Sequence, residues 1–160
     1  IEENTYSAEL FVASQFTYAG WNTYFPQRDK GFDFIASKHV DGKEIIRPVQ
    51  VKGKYPEENT NDRDTYGYIG DLTRYHTEMV LAIPFYSSDA PQTPEYVVYL
   101  PTAEIRDNAR GYRVEPSKLV SGFPEIRPAY GGYVGQNGLS ALEESDWAKK
   151  TWQDRGWYSS

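Results

Sequence analysis

The dipeptide Asp41–Gly42 constrains the fold of this chain more than any other sequence feature. It stands between two stretches with alternating apolar residues, 31–40 and 44–55, and in that setting it is the strongest short-range signal for a two-residue β-hairpin loop. Such a loop pairs Val40 with Lys43 and thereby fixes every other pair of the two strands. A slip of one residue would move the apolar side chains to the solvent face, so the register is strongly specified.

This register gathers three polar side chains on one face at the open end of the hairpin. It sets Asp33 directly opposite Gln50, with Cβ atoms about 4.5–5.5 Å apart. Lys52 points to the same face because alternate residues of a strand share a face, and its partner Gly31 has no side chain to crowd it. The other face is predicted to be an apolar wall of Phe32, Phe34, Val49 and Val51.

Pro48 provides a check on the register. Its partner is Ile35, and the two form a non-hydrogen-bonded pair, so the hairpin does not need the N–H that proline lacks. We therefore expect the other neighbour of this strand to be absent or bulged at Pro48.

The three polar groups suit phosphate chemistry. The Asp33 carboxylate and the Gln50 side-chain carbonyl are oxygen ligands of the kind that a hard cation such as Mg²⁺ prefers. The Lys52 ammonium can orient an attacking water and stabilise negative charge on a phosphate. The alternative is an ordinary charged hairpin face without a ligand.

Length and composition limit the classes of protein that remain. The 160 residues, 39% of them hydrophobic, suit one domain. The chain has no cysteine, which excludes disulfide scaffolds, thiolate zinc sites and cysteine nucleophiles. No run of about 18 apolar residues occurs, so we predict no membrane span. Without an export signal, we expect a cytoplasmic protein.

Charge and aromatic content each leave two interpretations. The net charge of −6 argues mildly against a nucleic-acid partner, but residues 28–54 hold seven basic and four acidic residues. Aromatic residues make up 16% of the chain, which favours a β-rich fold or tyrosines that meet a flat ligand at the surface. The two histidines, His39 and His76, are predicted to have no catalytic role.

The order of predicted elements indicates an α/β sandwich, in which helices flank a central mixed β-sheet. An amphipathic helix is predicted first, and its apolar face includes Leu10, Ala13 and Phe16. The predicted elements are helix 5–19, strands 21–25, 31–40, 44–55, 80–86 and 95–101, a short helix beginning at Thr102, and a terminal helix over 145–156.

The segments GFDFIAS and PVQVKGK, preceded by a helix with Glu9, resemble the PD-(D/E)XK nuclease superfamily. The resemblance is greatest to the branch of archaeal Holliday-junction resolvases and Mrr-type restriction endonucleases. It covers about residues 5–56 and implies one restriction-endonuclease-like domain over 1–160. Asp33 matches the motif aspartate, and Gln50 and Lys52 match the Glu/Gln-x-Lys pair. Gln50 stands where most members have glutamate, which removes one negative charge from the site.

The resemblance implies an endonuclease that hydrolyses DNA with Mg²⁺, or with Mn²⁺ as a substitute. Glu9, Asp33, Gln50 and the Val51 carbonyl would hold the metal, and Lys52 would orient the hydrolytic water. The residues expected to contact nucleic acid are Arg28, Lys30, Lys54 and Tyr55. Because a duplex needs two scissions, one site per chain predicts a homodimer.

A second function stays open at this point. The chain could be a catalytically weak or inactive module with the same fold that binds DNA or serves in assembly. Gln50 and the acidic remainder of the chain favour this module. Intact Glu9, Asp33 and Lys52 favour the enzyme.

Overall fold

A mixed β-sheet of five strands forms the centre of the molecule. The structure is a computed structural model and describes residues 2–27, 31–56, 68–70, 76–108 and 111–156. Its strands are β1 (Asn22–Tyr24), β2 (Phe34–Val40), β3 (Lys43–Val51), β4 (Tyr68–Gly70), β5 (Val80–Phe85), β6 (Tyr96–Pro101), β7 (Arg106–Asn108), β8 (Gly111–Arg113), β9 (Ser117–Val120) and β10 (Phe123–Ile126). The α-helices are α1 (Glu2–Tyr18), α2 (Gly135–Ala141) and α3 (Trp152–Arg155).

The central sheet has the strand order β1–β2–β3–β5–β6. β3 and β5 run parallel, whereas the other neighbours in this sheet run antiparallel. Two small sheets, β4–β8–β7 and β9–β10, come from the remaining strands. The mixed sheet with its helices confirms the predicted α/β class.

The hairpin between β2 and β3 forms in the predicted register. Val40 lies opposite Lys43, and the pairing continues to Phe34 and Val49. The loop residue Asp41 has φ 50° and Gly42 has φ 78°. Positive φ at both loop positions is what a type I′ turn requires, and Asp and Gly adopt it at low cost.

Pro48 lies where neither neighbouring strand needs its N–H, as the sequence predicted. It lies opposite Ile35 in the hairpin, and the parallel pairing with β5 begins one residue later, at Val49 with Val80. The missing N–H of Pro48 therefore removes no bond from either ladder.

Two hydrophobic clusters cover the two faces of the central sheet. The first cluster lies under α1, where the Phe16 ring meets the rings of Trp21, Phe34 and Tyr99 edge-to-face at 5.5–5.8 Å between centroids. Its other members include Ala8, Val12, Ala13, Val49, Val51, Val80, Ala82, Leu139 and Trp147. The second cluster lies on the opposite face and is composed of Met79, Leu81, Ile83, Phe85, Val98, Leu100, Ile105, Val114 and Tyr133.

The predicted apolar face of the first helix is partly wrong. Leu10 is 45% exposed, whereas Ala8 on the opposite flank is buried. The stripe that packs on the sheet follows positions 8, 12, 13 and 16, which is the spacing of one helix face.

The C-terminal part differs from the prediction. The expected single helix over 145–156 is a 3₁₀ turn, Trp147–Lys149, followed by the separate helix α3. Lys150 between them is extended, and Thr151 begins α3 through a capping box with Asp154. Threonine is favoured at the start of a helix, where its side chain satisfies a free N–H group, over the interior of a continuing helix. The predicted helix at Thr102 is a short 3₁₀ turn, Thr102–Glu104, followed by β7.

Across the described residues, the longest helix falls short of the length and apolar character that crossing a membrane takes.

Candidate functional site

Asp33 lies at the open end of the hairpin, just outside the regular ladder. The pairing ends at Phe34, and the Asp33 N–H donates to the Val49 carbonyl at 2.9 Å, although Val49 already pairs with Phe34. Two consecutive residues thus engage one partner, as in a β-bulge. The Asp33 carboxylate turns into the gap, where Oδ2 accepts a 2.6 Å hydrogen bond from the Val51 N–H. Asp33 is therefore not a ladder partner of Gln50, as the simple register predicted.

Gln50 is buried, with 6% of its surface exposed. Its ladder partner in β5 is Leu81, a member of the second cluster, so the face predicted to be polar and open is largely core. The Oε1 atom of Gln50 is buried and has no hydrogen-bond partner among the described residues. A buried acceptor without a partner costs about 1–3 kcal/mol.

Lys52 follows the end of β3 and shares the face of Gln50. Its N–H donates to the Ala82 carbonyl at 3.0 Å, and Lys54 bridges Phe85 with the same offset that relates Gln50 to Leu81. The strand direction therefore continues, which confirms the predicted shared face of these residues. The Lys52 side chain is partly exposed and forms no ion pair or hydrogen bond within the described residues.

Phe32 departs from the predicted apolar wall. Phe34, Val49 and Val51 belong to the first cluster, whereas Phe32 packs against the second. The irregular pairing at Asp33 breaks the strict alternation of faces, which explains the change of side.

His76 lies beside Phe32, and sequence reasoning gave it no part in the site. The two rings meet edge-to-face at 6.4 Å between centroids. The His76 Nδ1 atom accepts the Glu78 N–H at 3.0 Å, so Nε2 carries the proton when the ring is neutral. His76 is exposed, and no sequence motif predicts that it lies beside Phe32. His39, in contrast, pairs with Glu44 at 3.2 Å on the exposed hairpin surface.

Glu9 lies on the other side of the sheet from Gln50. It is partly buried on α1, one turn before Val12 and Ala13 of the first cluster. Gln50 faces the second cluster, as its pairing with Leu81 shows. The Asp33 carboxylate bonds a backbone N–H at the strand end, between these two sides.

The predicted nucleic-acid contacts have mixed outcomes. Arg28 and Lys30 lie outside the described residues. Lys54 is partly exposed, and its backbone is tied to the neighbouring strand by bonds with Pro84 and Tyr86, each 3.0 Å.

The Tyr55 ring already has a stacking partner. It lies on Tyr86 with 4.4 Å between centroids and an interplanar angle of 16°. Gly53 makes room for it, since a Cβ at that position would lie 3.0 Å from the Tyr55 hydroxyl. Burial raises the pKa of Tyr86, and a hydrogen bond with Tyr55 acts in the opposite direction. A contact of the Tyr55 ring with nucleic acid is therefore restricted to the ring face that Tyr86 leaves.

The donor set at the strand ends suits a hard cation better than a transition metal. No group of three or more His, Asp or Glu side chains that could hold a metal occurs among the described residues. The candidates are the Asp33 oxygen not bonded to Val51, the unpartnered Gln50 Oε1 and the Val51 carbonyl, whereas Glu9 on the other side of the sheet is not brought to these atoms. All of these atoms are oxygens, which is the ligand chemistry of Mg²⁺.

Comparison with models of known protein families, with curated proteins and with solved structures found no match to this chain. The likeness to PD-(D/E)XK nucleases thus rests on the residues of segment 5–56.

Proposed function

We propose that this protein is a Mg²⁺-dependent endonuclease that hydrolyses phosphodiester bonds in DNA, built on a restriction-endonuclease-like fold. The observation that carries the proposal is the buried Gln50 Oε1 without a hydrogen-bond partner, one residue from the bond between Asp33 and Val51. Proteins rarely leave a buried polar atom unsatisfied, and a ligand is one reason that they do. Lys52, which also lacks a described partner, supplies positive charge on the same face.

In this proposal the residues at the strand ends have two roles, and the first is to bind the metal. Asp33, Gln50 and the Val51 carbonyl would hold the metal at the strand end, and Glu9, which lies on the other side of the sheet from Gln50, stays a predicted ligand only. When bound, Mg²⁺ supplies a Lewis acid for the phosphate oxygens and a more acidic water. The bond from the Val51 N–H fixes the orientation of the Asp33 carboxylate before any ligand arrives.

Lys52 has the separate role of positioning charge. Its ammonium would orient the attacking water and stabilise the negative charge that develops on the phosphate. Lys54, two residues further along the same face, would contact a neighbouring phosphate. Arg28, Lys30 and Tyr55 stay proposed contacts to the nucleic acid.

Gln50 is also the observation that favours a second function. An amide in place of a carboxylate removes one negative charge, so the metal would be held less firmly. A DNA-binding or assembly module of the same fold that cleaves weakly or not at all is the alternative proposal. Under either proposal we expect a homodimer, since two-fold symmetry matches duplex DNA.

Cleavage of supercoiled plasmid in Mg²⁺ and in Mn²⁺ tests the proposed enzyme. We expect Lys52→Ala to lower the cleavage rate about 10²–10³-fold, or roughly 3–4 kcal/mol, because it removes charge acting in the transition state. Binding of the same DNA in Ca²⁺ should persist in this variant. The matched control is Lys43→Ala, which removes an exposed lysine beside the hairpin loop and should cleave at the wild-type rate.

Two results would decide against the enzyme. Wild-type protein that binds DNA but cuts it in neither metal would support the module. Lys52→Ala protein that cuts at the wild-type rate would remove the hairpin from any catalytic role.

A further inference from the structure

A polar pocket lies far along the chain from the hairpin, in the part that covers the second cluster. It has a volume of about 400 Å³, within the range of small-ligand sites. Three of its lining residues are arginines and two are aromatic, and they surround one glutamate: Arg106, Arg113, Arg127, Tyr130, Trp152 and Glu115. This excess of positive charge is unusual in a chain with a net charge of −6.

Glu115 holds two of the three arginines in place. Its carboxylate pairs with Arg113 through one oxygen and with Arg127 through the other. The Arg127 Nε also donates to the Glu115 carbonyl at 3.0 Å. Each guanidinium has five N–H donors, and this single carboxylate orients both groups.

Arg106 adds a third positive charge from β7. Its side chain is exposed and forms no ion pair with a described carboxylate. Burial, followed by the Glu104 carboxylate, raises the pKa of Tyr130, whereas Arg106, a hydrogen bond with Trp152 and Arg127 act in the opposite direction. Both arginines therefore lie near enough to Tyr130 for their charges to act on its hydroxyl.

Glu104, a second acid beside the pocket that is not part of its lining, is already engaged. Glu104 is buried, and its Oε2 accepts the Tyr133 hydroxyl at 2.7 Å and the Trp152 N–H at 2.9 Å. The second of these bonds fixes the start of α3, and the Trp152 side chain is held separately by a hydrogen bond with Tyr130. That ring and Tyr130 lie 6.4 Å apart between centroids, and both are partly exposed. The pocket thus combines oriented guanidinium groups with a fixed aromatic wall.

We propose that this pocket binds a nucleotide, with its phosphate on the three arginines and its base against Trp152. Guanidinium groups match the geometry of phosphate oxygens, and indole rings stack on any base. A free nucleotide and single-stranded DNA offer the same chemistry. The inference is independent of the metal site at Asp33.

Titration of the full chain with dAMP, inorganic phosphate and a short oligothymidylate tests the pocket. We expect saturable binding of dAMP by calorimetry, together with a change in tryptophan fluorescence that Trp152→Phe abolishes. Arg106→Ala should weaken dAMP binding about tenfold or more, since one charge-assisted contact is lost. Lys43→Ala, which removes an equal charge elsewhere, should leave binding unchanged.

The three ligands distinguish the outcomes. Tighter binding of the oligothymidylate than of dAMP would identify single-stranded DNA as the source of the nucleotide, and the reverse order would identify free nucleotide. Equal affinity for phosphate and dAMP would overturn the role of Trp152. Absence of saturable binding by any ligand, or unchanged dAMP affinity in Arg106→Ala, would overturn the proposal. Because Arg106 is exposed, this variant should fold, and far-ultraviolet circular dichroism checks that it does.

Discussion

Arg47 and Gln50 are buried polar residues three positions apart on β3, and their surroundings differ completely. The Arg47 guanidinium donates to the carbonyls of Leu142 and Glu144, pairs with Glu78 and lies 5.0 Å from the centre of the Trp147 ring. The Gln50 Oε1 atom has no partner among the described residues. One strand therefore carries a polar group with four hydrogen bonds on one face and an acceptor without a described partner on the other.

The difference distinguishes a polar group whose bonds join segments of the fold from one that folding leaves without a partner. Burial lowers the pKa of Arg47, while the charge and hydrogen bond of Glu78 raise it, so the ion pair offsets part of the desolvation. The Arg47 network joins β3 to the chain after α2. Gln50 contributes an acceptor that folding alone does not satisfy, which is what a binding site requires.

Removal of Arg47 should have the largest effect on stability. Arg47→Met should lower the free energy of unfolding by about 3–5 kcal/mol, because Glu78 and the carbonyls of Leu142 and Glu144 lose their donor. Urea unfolding followed by circular dichroism measures this change. Lys43→Met, a control on the same strand at an exposed position, should change it by less than about 0.5 kcal/mol. A small loss in Arg47→Met would show that the network is not what joins these segments.

Gln50→Leu should act in the opposite direction. In EDTA we expect this variant to be more stable than wild type by about 1–2 kcal/mol, since a buried acceptor without a partner is removed. Added Mg²⁺ should stabilise wild type and leave Gln50→Leu unchanged, because a ligand stabilises only a chain that binds it. Urea unfolding with and without Mg²⁺ gives both numbers. A destabilised Gln50→Leu protein with an intact Mg²⁺ effect would contradict the comparison.

Tyr96, like Arg47, is a polar group with hydrogen-bond partners. Its substitution should have the smallest effect on the free energy of unfolding. Its hydroxyl bonds Ser117 at 2.7 Å and the Pro124 carbonyl at 2.9 Å, and burial raises its pKa to about 12. The raised pKa contributes stability that is complete below about pH 10 and is lost as the pH rises toward 12. Tyr96→Phe should therefore reduce the alkaline loss in the free energy of unfolding. Equal alkaline slopes for the two proteins would show that Tyr96 titrates normally.

Some features of this protein follow from sequence alone. The Asp41–Gly42 loop, the register from Val40 to Phe34 and the position of Pro48 were all predicted correctly. So were the two strands β5 and β6 and the first helix, although not the pairing of these strands. These features depend on contacts between residues that are close in sequence, and on loop conformations that only a few residue types adopt at low cost.

The tertiary structure decided which polar groups remain unsatisfied. The periodicity of β3 predicts that Arg47 and Gln50 point to opposite faces, but it does not say what covers each face. Arg47 finds its acceptors 95 and 97 residues away, and Gln50 is buried because a later strand brings Leu81 beside it. The arginine pocket likewise joins β7, the segment before α2 and the start of α3. The alternation of residues along a strand fixes the face on which each side chain lies. Whether that side chain is buried and hydrogen-bonded depends on the distant segments that pack against this face, and no local pattern encodes these segments.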